Sequence, residues 1–229
     1  MPEILAHRGN LTGPAAATEN TLPAIEACLS RGWGVEIDIR LDGTGRFYIS
    51  HDARTHGADA PADAIFACLR AHPGATVALN IKELGYEAAL LRYLHEQQVT
   101  RQTFLFDAEL IEPEPGATAR LFRRLDPQIR LAARVSDRRE PVERALGLDC
   151  ASVIWLDEFE RQWASACDVR RLKNQGRAVY AVSPELHGYS IDVARRRWED
   201  FIRWGVDGIC TDYPAALAHT IQRLHAVPA

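Results

Sequence analysis

The chain has 229 residues, 47% of them hydrophobic and 25% charged, with a net charge of −4 and a pI near 6.1. That supplies core material for one generous domain or two small ones, and the mild acidity argues against a nucleic-acid partner while leaving room for a local anion site. No stretch reaches the ~18 apolar residues of a membrane span, no basic-then-apolar leader pattern opens the chain, and cysteines 28, 68, 150, 167 and 210 show no CxxC spacing, which suits free thiols in a soluble, cytoplasmic protein.

Taken in order, Ile4 to Ala6 is a short apolar strand ending in His7-Arg8-Gly9. Asn20 or Thr21 caps a helix with Pro23 in its first turn, an apolar stripe of Leu22, Ile25, Cys28 and Leu29, and Gly32 as its stop. Val35 to Arg40 alternates apolar and polar as a strand does. A Gly-rich turn, Asp42 to Gly45, leads into a short strand, Phe47 to Ser50, and then His51-Asp52. Helix over 64–69 and strand over 76–82 follow. Strand and helix then alternate: helix 86–98, strand 103–106, helix 117–125, strand 129–135, helix 140–146, strand 152–156, helix 159–174, strand 178–183, helix 193–204, strand 208–211 and helix 214–224.

Leaving the small hairpin aside, this makes eight strand–helix units. Strands separated by single helices pair in parallel with right-handed crossovers. Eight such units over residues 1–229 predict an α/β protein, a single-domain (β/α)8 TIM barrel. An open doubly wound sheet is the alternative, weakened because no GxGxxG follows the first strand.

A barrel of this kind works at the C-terminal ends of its strands. The polar residues there include His7, Arg8, Glu36, Asp38, Asn80, Lys82, Asp107, Arg134, Asp157, Glu185, His187 and Asp212. Glu36 and Asp38 share one face of their strand and repel each other unless a cation lies between them, and oxygen ligands suit Mg²⁺ or Ca²⁺. Arg8 suits a phosphate, and two imidazoles flanking a phosphorus suit acid–base transfer. The plainer alternative is a surface acid pair beside an unrelated turn histidine. His187 and Trp155 read more readily as loop and core residues. His56, His72, His95, His219 and His225 read as surface, and Arg195-Arg196-Arg197 as a solvated helix face.

Ala6-His7-Arg8-Gly9, Glu19-Asn20-Thr21, Glu36-Ile37-Asp38 with His51-Asp52, and Val206 to Pro214 together resemble the glycerophosphodiester phosphodiesterase family. The motifs run from residue 6 to residue 214. The resemblance implies a TIM barrel, a metal-dependent phosphodiesterase acting on a small-molecule phosphodiester, Mg²⁺ or Ca²⁺ as the metal, and His7 and His51 as the acid–base pair. It departs from the family in two places. Where the family has Glu-x-Lys on the third strand, this chain reads Asn80-Ile81-Lys82, an uncharged ligand that predicts weaker metal affinity. Glu185 is a second candidate for the missing carboxylate, and Lys82 is a candidate phosphate ligand. The segment after His51-Asp52 is also shorter than the helical insertion common in bacterial members. A lyase releasing a cyclic phosphate, and a barrel that binds phosphate esters without turnover, are the alternative functions.

Overall fold

A computed structural model describes residues 1–53 and 62–226. Its strands are β1 (Glu3–His7), β2 (Gly34–Leu41), β3 (Phe47–Ile49), β4 (Val77–Ile81), β5 (Thr103–Phe106), β6 (Arg130–Val135), β7 (Val153–Leu156), β8 (Ala178–Val182) and β9 (Gly208–Thr211). Eight of them run parallel in the order β1-β9-β8-β7-β6-β5-β4-β2, and β1 pairs again with β2 to close the barrel. β3 is the exception: it folds back antiparallel on the upper end of β2, with Ile39 opposite Ile49. Closure leaves the barrel without the two open edges of a doubly wound sheet.

The helices are α1 (Leu22–Leu29), α2 (Ala62–Ala71), α3 (Glu87–Glu96), α4 (Ala117–Leu125), α5 (Val142–Leu146), α6 (Ala166–Lys173), α7 (Ile191–Trp204) and α8 (Pro214–Ala226). Their apolar stripes cover the barrel's outer face. Ile25, Phe66, Leu90 and Phe122 pack on one half, and Val169, Trp198, Phe201 and Leu217 on the other. The barrel lumen is filled separately by Leu5, Phe104, Trp155, Tyr180 and Cys210. Parallel strands buried on both faces explain why these segments read as apolar runs. At the closed end Gly34 lets β2 approach its neighbours, since a Cβ there would collide with the Thr76 carbonyl and the Leu5 side chain.

One predicted element starts late. The helix expected over 159–174 is ordered only as α6, from Ala166, behind a capping box of Ser165 and Asp168. The seven residues before it are held as a loop instead. The Asp137 carboxylate accepts from the backbone N–H groups of Phe159, Glu160 and Arg161, and Trp163 Nε1 donates to the Asp157 carbonyl. These long-range bonds outcompete helix nucleation and lay Phe159 over the barrel's mouth.

Candidate active site

The C-terminal ends of the strands surround a cleft of about 260 Å³ lined by His7, Arg8, Glu36, Asp38, His51, Asn80 and Lys82 on one side. β1 delivers His7, and the chain then turns sharply through two left-handed residues, Arg8 at φ 50° and Gly9 at φ 77°. Gly9 is required there because a Cβ would press on α1, 3.2 Å from Ile25. Arg8 pays for its conformation by donating its backbone N–H to the Glu36 carbonyl at 2.9 Å.

His7 Nδ1 donates to Asp212 Oδ1 at 2.7 Å, which leaves Nε2 facing Glu36 Oε2 at 3.8 Å. Burial works against a charged His7, but the Asp212 bond and the Glu36 charge outweigh it and raise its pKa. Asp212 is fixed in turn by Asn10 Nδ2 at 2.8 Å. Burial opposes its charge too, and His7 overrides that to hold it below the usual carboxylate range. Asp212 completes an imidazole–carboxylate dyad; its signal in the sequence is its place just past the last strand.

Glu36 and Asp38 point to the same side of β2, as their spacing predicts, while Val35, Ile37 and Ile39 join the outer core. The pair is differentiated. Burial, reinforced by the Asp38 charge, pushes Glu36 up to about 7. Burial also opposes charge on Asp38, yet Lys82 and then Arg8 hold it below its ordinary value. Lys82 Nζ lies 3.1 Å from Asp38 Oδ1, Arg8 Nε 3.3 Å from Oδ2, and Asn20 Nδ2 donates to Oδ2 at 2.9 Å. Arg8 also donates through Nη1 to Glu19 at 3.0 Å.

Asn80 stands directly beside Asp38 in the β2–β4 register. Its amide nitrogen donates to Asp107 Oδ2 at 3.0 Å, so its carbonyl oxygen is turned the other way; that oxygen is buried and has no hydrogen-bond partner. Among the described residues no three His, Cys, Asp or Glu side chains are grouped to hold a metal. The oxygens on this side of the cleft belong to two carboxylates and one orphaned amide, and oxygen-only ligation is what a hard divalent cation takes. Arg8 Nε is also buried without a hydrogen-bond partner. An unmet acceptor on Asn80 and an Arg8 Nε held only by its ion pair with Asp38 in one cleft match a ligand that carries anionic oxygens together with a cation.

Glu185 lies elsewhere. It accepts from the hydroxyls of Ser183 and Thr211 and from the Asp212 backbone N–H at 3.1 Å, so it braces the loop that carries Asp212 and does not line the cleft. His51 reaches the rim from β3. Arg40 clamps its carbonyl through Nε at 3.1 Å and Nη2 at 2.8 Å, and its Nδ1 meets Asp52 at 2.8 Å. His56 lies outside the described residues.

The opposite wall holds an ionic chain whose members the sequence placed at the mouth but did not pair. Arg134, buried on β6, binds Asp107 through Nε at 2.9 Å and also through Nη2, and binds Asp157 through Nη1. His187 Nε2 meets Asp157 Oδ1 at 2.5 Å. Asp107, Arg134 and Asp157 sit at or just past the C-terminal ends of successive strands and His187 on the short helix after β8, but the sequence does not show which of these side chains bind one another.

The fold and this mouth together define a (β/α)8 barrel with a paired-carboxylate, multi-imidazole cleft. No family model matches the sequence, and no curated protein matches it. Solved structures do share its fold. A glycerophosphodiester phosphodiesterase from Agrobacterium tumefaciens is 20% identical with a TM-score of 0.69, covering 97% of this chain and 100% of its own. A glycerophosphoryl diester phosphodiesterase from Parabacteroides distasonis is 18% identical with a TM-score of 0.72, covering 100% and 88%. A phosphodiesterase from Oleispira antarctica, solved with the product sn-glycerol-3-phosphate, is 19% identical with a TM-score of 0.65, covering 97% of each chain.

Proposed function

We propose that this barrel hydrolyses glycerophosphodiester-like substrates to an alcohol and a phosphomonoester. The observation that carries the reading is convergence: His7, Arg8, Glu36, Asp38, His51 and Lys82, far apart in the chain, line one cleft. The fold shared with solved phosphodiesterases supports it.

Arg8 and Lys82 bind the phosphate oxygens, and a substrate phosphate gives Arg8 Nε the hydrogen bond that its ion pair with Asp38 does not supply. His7 is oriented by Asp212 so that Nε2 is the nitrogen that exchanges a proton at the reacting group. His51 exchanges the complementary proton from the rim. One imidazole takes the nucleophile's proton, and the other gives one to the leaving alkoxide. Glu36, Asp38 and the Asn80 amide oxygen would hold Mg²⁺ or Ca²⁺, which when bound supplies positive charge against the phosphoryl oxygens. With a neutral amide as the third ligand, that affinity is weaker than a three-carboxylate site would give.

The test is turnover of glycerophosphodiesters with Mg²⁺ or Ca²⁺, followed by phosphorus NMR. Glycerol phosphate as the first product supports the reading. A cyclic phosphate that accumulates makes the protein a lyase. Phosphate-ester binding without turnover makes it a binding barrel and overturns the activity.

A further inference from the structure

Deepening that reading, on which it rests, we propose that His187 recognises the alcohol arm of the substrate and selects a neutral, hydroxylated arm over a quaternary ammonium one. In an eight-stranded barrel the second and sixth strands face each other across the mouth. Here these are β2, which carries Glu36 and Asp38, and β7, which ends beside Asp157. A diester whose phosphorus lies at the acid pair therefore extends one arm toward Asp157 and His187.

That wall has the chemistry to read the arm. His187 lines the cleft with 18% of its side chain exposed, packed at a 47° tilt against Phe159 with ring centroids 4.5 Å apart. Its Nε2 is tied to Asp157, an acceptor already engaged by Arg134, so Nε2 carries a ring hydrogen, and in the neutral ring Nδ1 is an acceptor. Nδ1 makes no hydrogen bond among the described residues. A hydroxyl can donate to it; a trimethylammonium group has no N–H to offer.

The aromatic surface beside it disfavours the cation for a second reason. The Phe159 ring has the Arg138 guanidinium 4.0 Å and the Arg134 guanidinium 5.2 Å from its centroid. With two guanidiniums already against it, the ring offers a quaternary ammonium less free π surface than an unoccupied ring would. Trp155 and Leu186 leave an apolar wall against which a polyol's C–H face can lie.

The experiment compares two diesters of glycerol phosphate, one with an inositol arm and one with a choline arm, on the full chain and on H187A. The inositol diester is expected to have the higher kcat/KM. H187A is expected to reduce that preference about threefold to tenfold, chiefly through KM, as loss of one recognition hydrogen bond does. Preference for choline in the wild type, or an unchanged ratio in H187A, overturns the proposal. H187N, whose shorter amide reaches Asp157 or the arm but not both, is read the same way should H187A fail to fold. If neither diester is cleaved, the proposed activity fails, and the ratio of calorimetric affinities for the same two compounds decides His187 separately.

Discussion

His7 leaves a barrel strand with 18% of its side chain exposed and binds a carboxylate, Asp212, that is itself 7% exposed; His51 leaves the β3 flap with 44% exposed and binds Asp52, 89% exposed. Both pairs have nearly the same N–O distance, 2.7 and 2.8 Å. The difference lies in what surrounds them. Around His7 the dielectric is low, the partner is held by Asn10, and the ring's orientation is fixed before substrate arrives. Around His51 water competes for both partners, and only the backbone is clamped, by Arg40. A hydrogen bond of given length therefore orients one imidazole strongly and the other weakly.

The hardest test of that contrast is removal of each ring. H7A is expected to lower kcat on a glycerophosphodiester by about 10²–10⁴-fold; retention of activity within fivefold of wild type would remove His7 from the chemistry. H51A is expected to cost about 10²-fold in kcat while leaving the melting temperature nearly unchanged, because its side chain is 44% exposed and its hydrogen bond goes to exposed Asp52. A loss below about threefold makes His51 a rim residue.

The carboxylate partners sharpen the comparison. D212N is expected to cost about 10-fold or more in kcat through loss of imidazole orientation, and D52N less than about 3-fold. Equal losses in the two variants would show that the rim pair is ordered as firmly as the buried one.

The smallest expected effect is on stability. Glu109 accepts the Arg134 backbone N–H at 2.9 Å, and burial pushes its carboxyl up to about 7. A carboxyl whose folded pKa is raised favours the protonated native state, so its contribution is best below pH ~4.5 and is lost as pH rises through about 7. E109Q is expected to raise the melting temperature by roughly 1–3 °C at pH 8 and to leave it unchanged at pH 5. The reverse order, a gain at pH 5 and none at pH 8, would contradict the assignment.

The barrel was legible because its signal is repeated. Eight apolar runs, each followed by an amphipathic segment, leave few topologies. The near wall was legible because each of its residues sits within a short local pattern: His7-Arg8-Gly9, Glu36-Ile37-Asp38, His51-Asp52. The far wall was legible only in part: Asp107, Arg134, Asp157 and His187 were placed at the mouth, but their ionic chain was not read, because no local pattern shows which of these side chains bind one another. The Glu185 side chain shows the same limit in reverse. Its neighbourhood in sequence placed it near the mouth, but the hydroxyls of Ser183 and Thr211 and the Asp212 N–H capture it first. Helix 159–174 started late for a comparable reason, the distant Asp137.

Among the described residues, four that are not glycine adopt left-handed φ, and three of them, Arg8 at 50°, Asn20 at 58° and Asp107 at 71°, surround the cleft. Each such residue carries a conformational penalty of about 1 kcal/mol that glycine would escape. Laboratory evolution toward heat tolerance would thus be drawn to R8G, N20G and D107G, all of which erase groups that hold Asp38 or Arg134. Selection for robustness and selection for turnover pull those three codons in opposite directions.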